Sequence, residues 1–209
     1  FQAEDGIRDD LVTGVQTCAL PILPGLEHHH ASRMLDNGAQ GIVVPHVDTV
    51  EEAQRVASQC RFPPIGHRSM GGGLQQLGFA PMPLDQTARV INDETLVVVM
   101  IESPQGVANC DAIAAVPGID VLLIGTNDLC FEMGIPGQFE DPRVSEAYQK
   151  LIAACRKHGK FAGMGGLYTG PLIERYVSMG VQMVLAGSDF SLLMQGATER
   201  AKLVRSFQR

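Results

Sequence analysis

From Leu23 onward, runs of consecutive apolar residues alternate with stretches in which apolar side chains recur every three or four positions. The runs 41–47 (GIVVPHV), 96–102 (LVVVMIE), 121–125 (VLLIG), 161–164 (FAGM) and 181–187 (VQMVLAG) are apolar with little alternation. That pattern predicts strands buried on both faces of a parallel sheet. The stretches between them carry helix start and stop signals. Thr49 with Glu52 forms a capping box ahead of a helix to about Cys60. Ser103 followed by Pro104, and Asp141 followed by Pro142, each pair an N-cap with a first-turn proline. The first of these helices is expected to reach about Val116. The second places Val144, Tyr148, Leu151, Ile152 and Cys155 on one face and closes on Gly159. Further helices are expected over about 29–37, from Pro171 to Gly180, and from Ser188 to about Phe207. The stretch 66–84 is rich in Gly and Pro and reads as a long loop.

Repeated strand–helix units build either a doubly wound sheet or a closed eight-stranded barrel. A barrel of about 250 residues spends about 31 on each unit. Residues 23–209 would supply roughly six such units, and the pattern yields five strands plus a leading helix. The expected fold is therefore α/β: an incomplete (β/α)₈ TIM barrel, with about strands 4–8 present and the first three missing.

Composition narrows the function. The 209 residues are 45% hydrophobic, enough for one substantial core. With 23 acidic against 16 basic side chains the net charge is -7, which argues against non-specific nucleic-acid binding. The longest apolar run, 96–101, is too short to cross a membrane. Five scattered cysteines form no CxxC pair and read as reduced, mostly buried thiols of a cytoplasmic protein. Residues 1–22 stand apart. The stretches 1–9 (FQAEDGIRD) and 12–22 (VTGVQTCALPI) resemble in-frame translations of two oligonucleotides used as sequencing-library adapters. On that reading residues 1–22 are non-native, residues 23–209 form a partial barrel domain, and the charge of the latter is -4, from 15 basic and 19 acidic residues.

Two acids fall where a barrel keeps its chemistry. Glu102 ends the run LVVVMIE, and Asp128 follows VLLIG in Thr126-Asn127-Asp128-Leu129. Their spacing is about one strand–helix unit, so they should crown neighbouring strands on the same face. Parallel strands lie about 4.8 Å apart, close enough for both carboxylates to reach one ion. Oxygen ligands without Cys or a His pair favour a hard cation. A strand-end Glu and a loop Asp serve equally well as helix caps or structural acceptors. The triplet His28-His29-His30 reads as a solvated helix start, because consecutive residues point in different directions. His46, after VVP, is either a pocket-lining or a packed histidine. Gly71-Gly72-Gly73 and Gly165-Gly166 match no phosphate-binding fingerprint and read as flexible loops, with Gly165-Gly166 a weaker candidate for holding an anion. Lys150, Lys157, Lys160 and Lys202 sit on or beside helices and read as exposed, so no Schiff base is expected.

The runs MLDNGAQGIVVPHVDTVEEA, PPIGHRSMGG, MIESPQGVANCDAIAAVPGIDVLLIGTNDL and GSDFSLL resemble the class II pyruvate-dependent aldolases. These include 4-hydroxy-2-oxoheptanedioate and 2-dehydro-3-deoxyglucarate aldolases and share a superfamily with the citrate lyase β subunit. The resemblance implies a TIM barrel and reversible cleavage of a 4-hydroxy-2-oxo acid to pyruvate and an aldehyde. It implies a divalent metal, Mg²⁺ or Mn²⁺ with Co²⁺ a further candidate, held by Glu102 and Asp128. Asn127 and Asp128 match substrate-binding positions at the pyruvate carboxylate. Met100 stands where relatives carry a glutamine that contacts substrate, which a thioether cannot replace as a donor. Asp36 matches an acid that supports the catalytic histidine, across a subunit interface in one arrangement. That histidine and a substrate-binding arginine would lie ahead of Leu23. Arg68 matches an arginine of the family that serves as pocket wall or loop anchor. Relatives form hexamers through the last helix, so a homo-oligomer is implied, with no nucleic acid and no membrane. The alternatives are a catalytically silent fragment that keeps the metal site, or a lyase acting on a CoA thioester.

Overall fold

The computed structural model describes residues 20–71 and 74–207. In chain order the elements are helix α1 (His28–Asp36), strand β1 (Gly41–Val44), α2 (Val50–Cys60), α3 (Leu84–Glu94), β2 (Leu96–Ile101), α4 (Pro104–Ala114), β3 (Val121–Gly125), α5 (Thr126–Glu132), α6 (Pro142–His158), β4 (Phe161–Gly165), α7 (Gly170–Met179), β5 (Met183–Val184) and α8 (Asp189–Arg205). A short 3₁₀ turn covers Gln75–Leu77.

The five strands form one parallel sheet in sequential order, β1-β2-β3-β4-β5. Sequential order is that of a barrel wall, whereas a doubly wound sheet reverses direction at a switch point. Apolar side chains of the same strand divide between two cores. Ile42, Val44, Val97, Val99, Ile101, Leu122, Ile124, Ala162 and Met164 meet the helical layer. Val43, Val98, Met100, Val121, Leu123 and Met183 form a second cluster on the opposite face. Burial of both faces is why the strands read as unbroken apolar runs.

The capping signals are realised. Thr49 and Glu52 form a reciprocal box, Ser103 caps α4, and Asp141 caps α6, which ends on Gly159 in the left-handed region. The predicted strand over 41–47 stops at Val44. Pro45 has no N–H to donate, His46 turns to φ +53, and Val47 then rejoins the ladder by donating to Met100 O at 3.1 Å. The predicted strand over 181–187 narrows to two residues, although Gln182 and Leu185 still donate to β4 carbonyls. Two helices went unpredicted. Helix α3 buries only Thr87, Ile91 and Asn92, too narrow a stripe to show as a period. Helix α5 starts at the strand end with no side-chain cap. The outer edge of β1 is partly covered, since Val43 N–H donates to Pro21 O and Val43 O accepts from Leu23 N–H. No helix among the described residues is long and apolar enough to cross a membrane.

Candidate active site

Glu102 follows β2 and Asp128 lies in the first turn of α5, which follows β3. Ile101 pairs with Ile124, so the next residues along, Glu102 and Gly125, are neighbours at the ends of their strands. A Cβ at Gly125 would come 2.3 Å from Glu102 Oε1 and 2.7 Å from its Cγ. The glutamate side chain therefore lies over a strand end that only glycine leaves open.

Glu102 is 2% exposed. Its Oε2 accepts the His46 backbone N–H at 2.9 Å, and His46 Nδ1 lies 3.4 Å from the same oxygen. Burial pushes the Glu102 carboxyl above its ordinary value, the two His46 interactions pull it down, and the facing Asp128 carboxylate pushes it up again. The two acids thus stand at the ends of neighbouring strands on the same side of the sheet. His46 holds its left-handed backbone while its ring stays exposed. The loop beyond it is stapled to α4: Asn109 Nδ2 donates to Asp48 O at 2.7 Å, and Ser103 Oγ donates to Asp48 Oδ1.

The remaining predicted residues divide between the two ends of the sheet. Asn127 and Asp128 are exposed at the mouth of the site. Met100 lies on the same strand two residues before Glu102, buried in the apolar cluster with Val98 and Leu123. Asp36 is elsewhere. It ends α1, which leads into the N-terminal end of β1, so within one chain it lies across the sheet from Glu102. There Arg68 Nη2 donates to Asp36 Oδ1 at 2.8 Å, and the arginine lies over the Phe62 ring, which makes it a loop anchor. The histidine triplet opens α1, with His28 and His29 exposed. Gly72 and Gly73 lie outside the described residues, as does Cys18; the other four cysteines are buried free thiols.

Sequence reasoning missed Gly125, Thr126 and Tyr148. The glycine had a legible signal, because it directly precedes the Asp-bearing turn and sits one strand from a strand-end glutamate. The hydroxyl pair had none, since it joins residues on separate elements. Among the described residues no three His, Cys, Asp or Glu side chains cluster as a complete metal cage. Two facing carboxylates, one buried, suit a cation that completes its shell with water or substrate oxygens.

Comparison with known proteins places the whole chain. The 4-hydroxy-4-methyl-2-oxoglutarate aldolase tasA of Hapsidospora irregularis is 42% identical over 179 residues, which are 84% of this chain and 66% of that protein. A hydroxypyruvate/pyruvate aldolase of Chromohalobacter salexigens is 35% identical over 184 residues, 87% of this chain and 71% of that protein. The chain thus spans about two thirds of the length of such relatives. The crystal structure of an HpcH/HpaI aldolase from Desulfitobacterium hafniense DCB-2 superposes with a TM-score of 0.79 at 29% identity, covering 90% of this chain and 72% of that one. The family model described as HpcH/HpaI aldolase/citrate lyase matches residues 22–195. With the family model matching most of the chain and nine tenths of it superposing on a solved family member, the chain belongs to the HpcH/HpaI aldolase/citrate lyase family.

Proposed function

We propose that residues 23–209 carry the metal-dependent half of a class II aldolase site, one that cleaves a 4-hydroxy-2-oxo acid reversibly to pyruvate and an aldehyde. The observation that supports this most directly is the buried Glu102 held against Asp128 over the bare strand end of Gly125. Glu102 and Asp128 would hold Mg²⁺, Mn²⁺ or Co²⁺. When bound, the cation supplies positive charge that stabilises the negative charge a 2-oxo acid develops as its carbon–carbon bond breaks or forms.

The chain's own residues shape this half of the site. His46 fixes one oxygen of Glu102 through its N–H, leaving the other turned toward Gly125. Asn127, exposed beside Asp128, would meet the carboxylate of the 2-oxo acid. Met100 and Leu123 belong to the buried apolar cluster behind the strand ends. The buried free thiols support a reducing, cytoplasmic setting. Helix α8 buries none of its residues and exposes Phe190, Leu192, Leu193 and Val204. That face supports a homo-oligomer, a hexamer by resemblance, in which Asp36 would serve a neighbouring subunit's site.

The test is exchange of pyruvate methyl protons with D₂O, followed by NMR. The 209-residue chain is expected to show Mn²⁺-dependent exchange that Glu102→Ala abolishes. Exchange that is independent of metal, or equal in the variant, overturns the assignment.

A further inference from the structure

Asp128 is exposed at the mouth of the site, in the first turn of α5 and two residues after the helix begins at Thr126.

Thr126, the first residue of α5, is fully buried. Its Oγ1 lies 2.8 Å from Gly165 O and 2.8 Å from the Tyr148 hydroxyl. A carbonyl only accepts, so the single threonine proton goes to Gly165, and Tyr148 must donate to Thr126. The chain of donors thus runs from α6 through the head of α5 to the end of β4. Tyr148 is itself fixed, stacked on Tyr176 of α7 with ring centroids 3.8 Å apart and planes 22° apart. Burial pushes its phenol well above the ordinary tyrosine range, which keeps it a donor at all working pH values. At the far end the next residue, Gly166, has φ +83, and a Cβ there would come 3.1 Å from Asn127 Nδ2 and 3.2 Å from its backbone N. The loops after β3 and β4 are therefore pressed together at the residues that follow Thr126.

We propose that the Tyr148–Thr126–Gly165 hydrogen-bond chain is a brace that holds Asp128 and Asn127 in the cation- and carboxylate-binding position, which makes Thr126 and Tyr148 positioning residues. The proposal rests on the reading of Glu102 and Asp128 as cation ligands. The same stack provides its own control. The Tyr176 hydroxyl is buried with no hydrogen-bond partner, so deleting it removes an oxygen from the same layer without touching the brace.

The experiment titrates Mn²⁺ into the full 209-residue chain, reads free Mn²⁺ by electron paramagnetic resonance, and records melting temperatures in parallel. Thr126→Val and Tyr148→Phe are expected to weaken Mn²⁺ binding about 10- to 100-fold, the usual cost of losing an outer-shell partner. Thr126→Ser keeps the hydroxyl and should bind within about threefold of the parent, and Tyr176→Phe should bind like the parent. Ile113→Val, a core trim away from the loop, should lower the melting temperature without moving the affinity, which separates positioning from general stability. If Thr126→Val and Tyr148→Phe bind Mn²⁺ within twofold of a binding parent, the brace is overturned and the cation reading stands. A parent chain without Mn²⁺ affinity, or a Glu102→Gln variant that binds equally well, overturns both.

Discussion

At the N-terminal end of the sheet Arg61 is 1% exposed and every arm of its guanidinium is spoken for. Nε donates to Gly118 O at 2.9 Å, Nη1 to Asn92 O and to Thr95 O, and Nη2 to Asp120. Asp120 also accepts the Val97 N–H at 2.8 Å, so the pair ties the starts of β2 and β3 to the loops beneath them. At the C-terminal end Glu102 is as deeply buried, yet it faces a second carboxylate, and among the described residues His46 is what offsets it. Charge at one end is neutralised and fully hydrogen-bonded; at the other it is left in deficit. Folding alone favours the first arrangement. The second is the kind that a bound cation relieves, and perturbed acids of this sort concentrate at functional sites.

The largest break in that contrast is Arg61→Ala. It removes the guanidinium from partly buried Asp120 and the side-chain donor from three backbone carbonyls, and a loss of about 3–5 kcal/mol is expected in chemical denaturation. A loss below about 1 kcal/mol would show that the N-terminal end is not a latch.

Gly125→Ala tests the other end. The backbone there has φ -83, open to any residue, so the substitution acts only through the clash with Glu102. About 1–3 kcal/mol should be lost from overpacking, together with Mn²⁺ affinity. In a Glu102→Ala background the same change should cost much less, because the clashing atoms are gone. Equal costs in both backgrounds would mean that Glu102 does not occupy the space over Gly125.

The smallest effect sharpens the comparison through pH. Because Glu102 is held above its ordinary value, the folded state favours its protonated form. That contribution to stability is present at low pH and is lost as pH rises through the raised value. Without divalent metal, Glu102→Gln should therefore melt above the parent at neutral pH, and the gap should close as pH falls below the ordinary glutamate value of 4.5. Added Mn²⁺ should stabilise the parent and leave the variant unmoved. A gap that stays constant across the titration would remove burial as its cause.

Much of this was legible in the chain. The runs at β2, β3 and β4 lie within a residue of their observed bounds, because strands buried on both faces have no polar positions to blur them. Thr49 with Glu52, Ser103 and Asp141 announced their helices, because a cap is a local bond between near neighbours. His46 illustrates the limit. Its strand-like surroundings predicted extended backbone, whereas it adopts the left-handed region with its N–H on a partner 56 residues away, the Glu102 carboxylate. Asp36 shows another limit: its motif was recognisable, but its place across the sheet from Glu102 follows from chain direction in three dimensions.

By itself the sequence determined the parallel α/β rhythm, the helix caps and the two acids that crown neighbouring strands. Apolar periodicity and capping depend on neighbours within one or two turns, and strand spacing is nearly constant. Only the tertiary structure decided that Glu102 lies over Gly125, that His46 grips it, and that Tyr148 reaches Thr126. Those contacts join residues on different elements, and their distances depend on register and helix packing, which no local pattern encodes.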